Sequence, residues 1–175
     1  MHVPDHSLIL RDALRVVLLR DLRALDSQIA AYPDDESIWK TAPGISNSGG
    51  TLVLHLAGNL RHFFGTVLGG SAYARNREAE FSMRGLSRAE LQQEVQATLV
   101  EIEAALERIE DAQLAAAYPL PIGDRRVRTA EFLVHLAVHL AYHLGQLDYH
   151  RRILTPHAGV VDTMSIRELP AHKDP

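Results

Sequence analysis

Residues 132–147 read FLVHLAVHLAYHLGQL, a stretch that contains no charged side chain. Within it histidine recurs at positions 135, 139 and 143. A spacing of four residues places the three side chains on one face of an α-helix, rising about 6 Å along the axis at each step. Because no charged residue is available to face water, we predict that this helix is largely buried and that its imidazoles point into the interior.

Three further segments carry helical patterns, and there is little sign of β-strand. The first precedes Pro33, and the second begins at the good N-cap residues Asn47–Ser48 and ends near Gly69–Gly70. The third opens with Ser87 and Glu90 in the spacing of a capping box. Apolar residues recur at helical spacing in the first and third segments: Leu14, Leu18, Leu22, Leu25 and Ile29, then Leu91, Val95, Leu99, Ile102, Leu106 and Ile109.

With a last helix that starts after Thr129 and ends near Leu154, the chain is expected to form a single all-α domain, 1–175, built as a four-helix bundle. Residues from about 155 to 175 would form a tail on its surface. The roughly 16-residue linker between the second and third helices can reach about 50 Å. A 22-residue helix is only about 33 Å long. The linker therefore permits the second and third helices to lie parallel, without requiring it.

Composition excludes several functional classes. A formal net charge of −4, with scattered Lys and Arg, argues against a nucleic-acid partner. No apolar run approaches the ~20 residues that span a bilayer, and the N-terminus lacks a signal-peptide pattern, so we expect a soluble cytoplasmic protein. The chain has no cysteine. Thiolate nucleophiles and thiolate metal ligands are therefore excluded, and any metal must be held by His, Asp or Glu.

A further histidine, His55, lies in another uncharged helical run, 51–60. Histidines that converge from two facing helices inside a bundle form a plausible metal site. The alternative for any one of them is an ordinary core histidine bonded to a carbonyl group or water. His62, two turns beyond His55, is the competing ligand on the same helix.

One metal ion cannot bind all three histidines of the last helix, because His135 and His143 lie about 12 Å apart along the axis. If the second and last helices are antiparallel with flush ends, His55 lies nearer the level of His143. This arrangement favours the pair His139 and His143 over the pair His135 and His139.

Three motifs resemble those of the DinB-like superfamily of metal-dependent proteins. Residues 55–61 (HLAGNLR) and 75–81 (RNREAEF) are similar to segments of a bacterial branch whose reaction is unassigned. Residues 139–146 (HLAYHLGQ) resemble the HxxxHxGQ signature on the last helix of the superfamily. The resemblance implies a four-helix bundle in up-down-down-up order with long crossover connections, often dimeric.

The same resemblance implies that His55, His139 and His143 hold one divalent metal ion per chain, with His62 and His135 outside the ligand set. Characterised relatives include thiol S-transferases that use bacillithiol and isomerases that use mycothiol. We therefore expect a metal-dependent transferase or hydrolase that acts on a small molecule, with a low-molecular-weight thiol as a possible cosubstrate. The alternative is a non-catalytic metal-binding or stress-response protein whose site is structural or vestigial.

Three imidazoles leave an open coordination position, as in catalytic zinc sites, and zinc or nickel are the expected ions, although such ligands also suit iron and copper. Asn59, Tyr142 and Gln146 are candidates to hydrogen-bond the ligand imidazoles, with ordinary interhelix hydrogen bonding as the alternative. Arg75 and Arg77 are candidates to grip an anionic cosubstrate. The alternative for these arginines, together with Glu80, is a salt-bridged linker that orders the crossover. A homodimer is the expected assembly.

Overall fold

The computed structural model describes residues 6–155, 159–162 and 165–171. Over these residues the chain forms α-helices, short 3₁₀ and π-helical turns, and no β-strand. The α-helices are α1 (His6–Ala30), α2 (Gly49–Leu60), α3 (Arg77–Ser82), α4 (Arg88–Arg108), α5 (Asp111–Ala115) and α6 (Thr129–Leu154). The all-α prediction is therefore confirmed.

The starts of two long helices are set by the side chains that the sequence suggested. The Ser48 hydroxyl accepts a hydrogen bond from the Thr51 backbone N–H at the start of α2. At the start of α4, Ser87 and Glu90 form the reciprocal capping box. Each contact satisfies a backbone donor that the first helical turn leaves free. Beyond Leu60, α2 continues into a π-helical turn, Arg61–Thr66.

The four long helices form a bundle in which α1 and α2 each pack against both α4 and α6. Contacts near the two ends of α2 give its direction relative to α6. A Cβ atom on Gly49 would lie 2.9 Å from Leu147 Cδ1. At the other end, the ring of Phe63 lies 5.1 Å from that of Phe132. Helices α2 and α6 are therefore antiparallel.

Helix α4 runs in the same direction as α2. The Arg61 guanidinium lies 2.8 Å from Glu94 in the first part of α4. Further along, a Cβ atom on Gly69 would lie 2.9 Å from the Cβ of Ala105. A parallel pair needs a connection that returns along the bundle, and residues 67–87 provide it. This crossover contains α3, which packs against α2.

Helix α1 runs parallel to α6, since their C-terminal ends lie together. The Gln28 amide donates to Asp148 Oδ1 at 2.9 Å. The order of the long helices is therefore up-down-down-up with long crossovers, as the family resemblance implied. Leucines from all four long helices fill the core, among them Leu22, Leu56, Leu91 and Leu140.

The short elements were not predicted from the sequence. They are α3, α5 and the 3₁₀ turns Ser37–Trp39 and Ile166–Glu168. Segments of three to six residues are too short to show the repeating apolar pattern that identifies a helix. The described tail residues, 159–162 and 165–171, are mostly exposed, whereas 156–158, 163–164 and 172–175 of the expected tail lie outside the described residues.

No helix among the described residues combines the length and the apolar character needed to cross a bilayer.

The expectation that the first half of α6 is largely buried is wrong for one of its faces. Helices α1, α2 and α5 contact α6, and large apolar side chains on its outer side remain exposed. His135 is also exposed, so its imidazole does not point into the interior as predicted. The outer side forms an apolar stripe made of Val134, Val138, Tyr142, Tyr149 and Ile153.

We propose that the apolar stripe of α6 is the contact surface of a homodimer, because exposed apolar side chains aligned on one helix face favour association. Val138 is 62% exposed in this stripe, and Val100 on α4 is 68% exposed outside it. Val138→Glu should shift the protein toward the monomer, whereas Val100→Glu should leave the dimer unchanged. Light scattering at high micromolar concentration measures the masses. A monomeric wild-type protein would contradict the proposal.

A buried histidine joins α6 to the segment after α1. His150 is 1% exposed, and its Nε2–H donates to the Lys40 carbonyl at 2.8 Å. Its Nδ1 therefore accepts from the Tyr32 hydroxyl, at 2.7 Å. Burial lowers the pKa of His150, and the bond to Lys40 only partly opposes this effect. His150 is thus neutral in the folded protein.

Because the pKa of His150 is lower in the folded than in the unfolded state, the unfolded state gains protons first as pH falls. The contribution of His150 to the free energy of unfolding should be constant above pH 6.5, about the pKa of histidine in the unfolded state. It should decline as the pH falls below that value. The decline for one such group is at most about 1.4 kcal/mol per pH unit. Urea unfolding of the metal-free protein should show a smaller loss between pH 7.5 and 5.5 in His150→Gln than in the wild type. An equal loss in both would exclude this role.

Candidate metal centre

Three histidines meet between α2 and α6. His139 and His143 lie one turn apart on α6, and their Nε2 atoms are 3.1 Å apart. His55 from α2 brings its Nε2 to 3.4 Å from His139 Nε2. One ligand atom from each of the three residues lies within 4.8 Å of the others. The antiparallel packing of the two helices thus produces a group that could hold a metal ion.

The spacing of these nitrogen atoms fits a metal ion. Histidine nitrogens bind zinc at about 2.0–2.1 Å, so two of them at neighbouring corners of a tetrahedron lie about 3.3 Å apart. The separations of 3.1 and 3.4 Å are close to this value. One ion can therefore be accommodated with little movement of the helices.

Hydrogen bonds on the far side of two rings direct their lone pairs toward the same point. His55 Nδ1 lies 3.0 Å from Glu80 Oε2, and His143 Nδ1 lies 2.7 Å from Gln146 Oε1. Because both oxygens accept, each Nδ1 carries the hydrogen and each Nε2 presents a lone pair. Both lone pairs are thus directed toward His139 Nε2, and a cation placed between the three rings would accept them. The Nδ1 of His139 is buried and has no partner among the described residues.

The surroundings keep the α6 histidines neutral. Burial, reinforced by the neighbouring imidazoles and Arg75, lowers the pKa of His139 to about 4. Burial also lowers the pKa of His143, against the effect of its bond to Gln146. At neutral pH both rings are therefore in the form that binds metals.

Glu80, on the crossover, contacts His55 of the three-histidine group. The sequence does not predict this contact. The Glu80 side chain is 4% exposed and is paired with Arg75, whose Nε and Nη2 donate to the two carboxylate oxygens at 2.6 and 2.9 Å. Burial opposes ionisation, but the hydrogen bonds from His55 and Arg75 outweigh it and lower the pKa of Glu80. The anionic carboxylate is thus stable beside His55. Gly58 is a sequence signal for the contact between Glu80 and His55. It is a glycine inside a predicted helix, three residues after His55.

Arg75 and Arg77 have different surroundings. Arg75 donates two hydrogen bonds to Glu80. This agrees with the prediction of a salt-bridged linker rather than with the prediction that Arg75 binds an anionic cosubstrate. Arg77 forms no ion pair among the described residues, and its guanidinium lies 5.2 Å from the ring centre of Phe81. Phe81 in turn packs on His55, with ring centres 5.0 Å apart.

The other candidate residues lie around the three histidines. Gln146 bonds to His143, and Tyr142 places its largely exposed ring 5.2 Å from that of His143, centre to centre. Asn59 is buried, and its Oδ1 has no partner among the described residues. Two further histidines stay outside the group: His135 stacks on His139 at 6.3 Å, and His62 packs against Phe63.

Comparison with known proteins identifies the family. The family model of the DinB superfamily matches residues 17–147. The chain belongs to the DinB superfamily. A crystal structure of a DinB-like protein from Bacillus cereus ATCC 10987 shares this superfamily fold, with a TM-score of 0.61 over 83% of this chain and 91% of that chain, at 18% sequence identity. No curated protein matches this DinB-superfamily chain at a significant level.

We expect this DinB-superfamily protein to bind about one divalent ion per chain. His143→Ala should abolish binding, because a ring that points at the common centre is lost. His135→Ala is the matched control on the same helix and should retain the ion. Elemental analysis by mass spectrometry after dialysis against zinc or nickel gives the metal content, and circular dichroism verifies folding. Undiminished metal content in a folded His143→Ala variant would disprove the assignment.

Proposed function

We propose that this member of the DinB superfamily holds one divalent ion, zinc or nickel, through His55, His139 and His143. We further propose that it acts as a metal-dependent transferase or hydrolase on a small molecule. The observation that carries this proposal is the convergence of one ring nitrogen from each of three histidines, with no carboxylate among them. Catalytic zinc sites have three protein ligands, whereas structural zinc sites are closed by four.

The position of Glu80 supports an open site. A carboxylate from the crossover in the fourth position would close the coordination sphere and favour a structural role. Glu80 instead bonds to Nδ1 of His55, on the side of the ring opposite Nε2. Within the described part of the chain, no other His, Asp or Glu joins the three-histidine group.

When bound, a divalent ion at this position lowers the pKa of a water molecule or thiol that reaches it. The chain has no cysteine, so a thiol would come from a cosubstrate. The protein residues would contribute neutral ligands, a fixed orientation of the rings and a partly buried setting that strengthens electrostatic interactions.

A cleft of about 340 Å³ lies near His55 and His143 along their helices, without being lined by them, and would offer a place for a small substrate. Its lining includes Leu52, three residues before His55, and Gln146, three residues after His143. Gln146 Oε1 is engaged by His143, so its amide N–H groups remain to contact a ligand. Arg77, beside Phe81, adds a cation near the other edge of the group and would suit an anionic substituent.

Cobalt substitution tests whether the site is open. The visible spectrum of cobalt(II) depends on its ligands, so addition of a small thiol such as 2-mercaptoethanol should change the spectrum of the loaded wild-type protein. A spectrum that responds to neither thiol nor azide would mean that the coordination sphere is closed. That result would contradict the catalytic proposal and favour the non-catalytic metal-binding alternative.

Turnover is then measured with the zinc- and nickel-loaded protein. A panel of low-molecular-weight thiols with an electrophilic acceptor tests thiol transfer, and a panel of nitrophenyl esters tests hydrolysis. Activity should disappear in His143→Ala and persist in His135→Ala. Activity that is equal in both variants would show that it does not arise at this site.

A further inference from the structure

We infer that Glu80 is a positioning residue that fixes the tautomer and orientation of His55. The crossover helix α3 therefore contributes to the metal site through this residue. This inference rests on the proposed metal-binding function and deepens it. Glu80 does not take the place of a ligand, because it faces Nδ1 and not Nε2. It acts through His55.

The Glu80 carboxylate is fully engaged by two neighbours. Oε2 accepts from His55 Nδ1–H at 3.0 Å and from Arg75 Nη2 at 2.9 Å, while Oε1 accepts from Arg75 Nε at 2.6 Å. A buried carboxylate is costly unless it is paired and hydrogen-bonded in this way. The forked contact also fixes the plane of the carboxylate, and with it the direction of the bond to His55.

Arg75 is itself held in place by aromatic packing. Its guanidinium carbon lies 5.6 Å from the ring centre of Phe63. The Phe63 ring packs edge-on against Phe132 from α6. The orientation of the arginine, and hence of Glu80, is therefore tied to the same pair of helices that supplies the histidines.

Gly58 has no side chain, and this leaves space for the Glu80 carboxylate to lie against α2 and bond to His55. A Cβ atom at this position would lie 2.3 Å from Glu80 Oε1 and 2.8 Å from Glu80 Cδ. No ordinary side chain fits without displacing the carboxylate. Glycine inside a helix is unfavourable relative to alanine, so its presence in α2 is explained by this close approach.

The consequence for His55 follows from the chemistry of imidazole. A neutral ring has one N–H, and the carboxylate can only accept, so the hydrogen must stay on Nδ1. The lone pair on Nε2 then points at the place where His139 Nε2 lies, 3.4 Å away. Without the carboxylate, His55 would be free to carry its hydrogen on Nε2, and that N–H would occupy the position of the metal.

The test compares Glu80→Ala with Glu78→Gln, since Glu78 is an exposed acid on the same short helix. Zinc affinity is measured by competition with a chromophoric chelator. Glu80→Ala should weaken zinc binding about 10- to 100-fold, and Glu78→Gln should leave it unchanged. Glu80→Gln retains an oxygen that accepts from His55 and should recover part of the loss.

A second readout does not require metal. In the metal-free wild-type protein, ¹⁵N NMR should show the His55 hydrogen on Nδ1, and in Glu80→Ala it should move partly or wholly to Nε2. If the wild-type protein binds no zinc, the proposed function fails while the tautomer measurement still decides the role of Glu80. Wild-type zinc affinity together with an unchanged tautomer in Glu80→Ala would overturn the inference.

Gly58→Ala provides a variant whose helix propensity is improved rather than weakened. Its added Cβ should displace the carboxylate and reduce zinc affinity although α2 itself is favoured. A folded Gly58→Ala protein with wild-type affinity and the Nδ1 tautomer would also count against the inference.

Discussion

The antiparallel contact between α2 and α6 is the constraint on which the rest of this structure depends. It brings His55 from one helix to the level of the pair on the other, so that one ring nitrogen from each of the three histidines lies within 4.8 Å of the others. The Nδ1 hydrogen bonds of His55 and His143 leave their Nε2 lone pairs facing the centre of the group, where a cation could accept them. The packing that stabilises the bundle thus also brings together a group of three histidines that could hold a metal ion.

The up-down-down-up order has a second consequence for the site. Because α2 and α4 are parallel, the chain between them must return along the whole bundle, and this crossover passes over the outer side of α2. There it places Glu80 and Arg75 against the ring of His55. A simple up-and-down bundle would join these helices by a short turn and would leave no segment to support that histidine. The topology and the buried charge pair are therefore connected.

Polar groups inside the bundle occur mainly where two elements must be kept in register. His150 joins the end of α6 to Tyr32 and to the Lys40 carbonyl. Near it, buried Arg151 donates to Gln28 of α1 at 2.6 Å. Each of these contacts satisfies groups that would otherwise be costly to bury. They hold the C-terminal ends of α1 and α6 together, at the end of the bundle that also carries the cleft beside Gln146.

The sequence alone was sufficient for the features that depend on local spacing. Apolar residues at intervals of three and four predict the first and third long helices, and Ser87 and Glu90 predict the start of α4. N-cap residues predict the start of α2, and an uncharged run with histidines at intervals of four predicts α6. The spacing of His139 and His143 on one helix placed their rings together, because i and i+4 side chains are neighbours whatever surrounds the helix. The family resemblance adds His55 to this pair.

Tertiary structure decided what depends on contacts between distant segments. Periodicity does not reveal which side of a helix its neighbours cover, so the exposed outer face of α6 and the exposed ring of His135 were not foreseen. Nor does a crossover sequence show which of its acids is buried: Glu78 faces water, whereas Glu80, two residues later, bonds to His55 across Gly58. That contact arises only when α3 is packed on α2, because 25 residues separate the two partners along the chain.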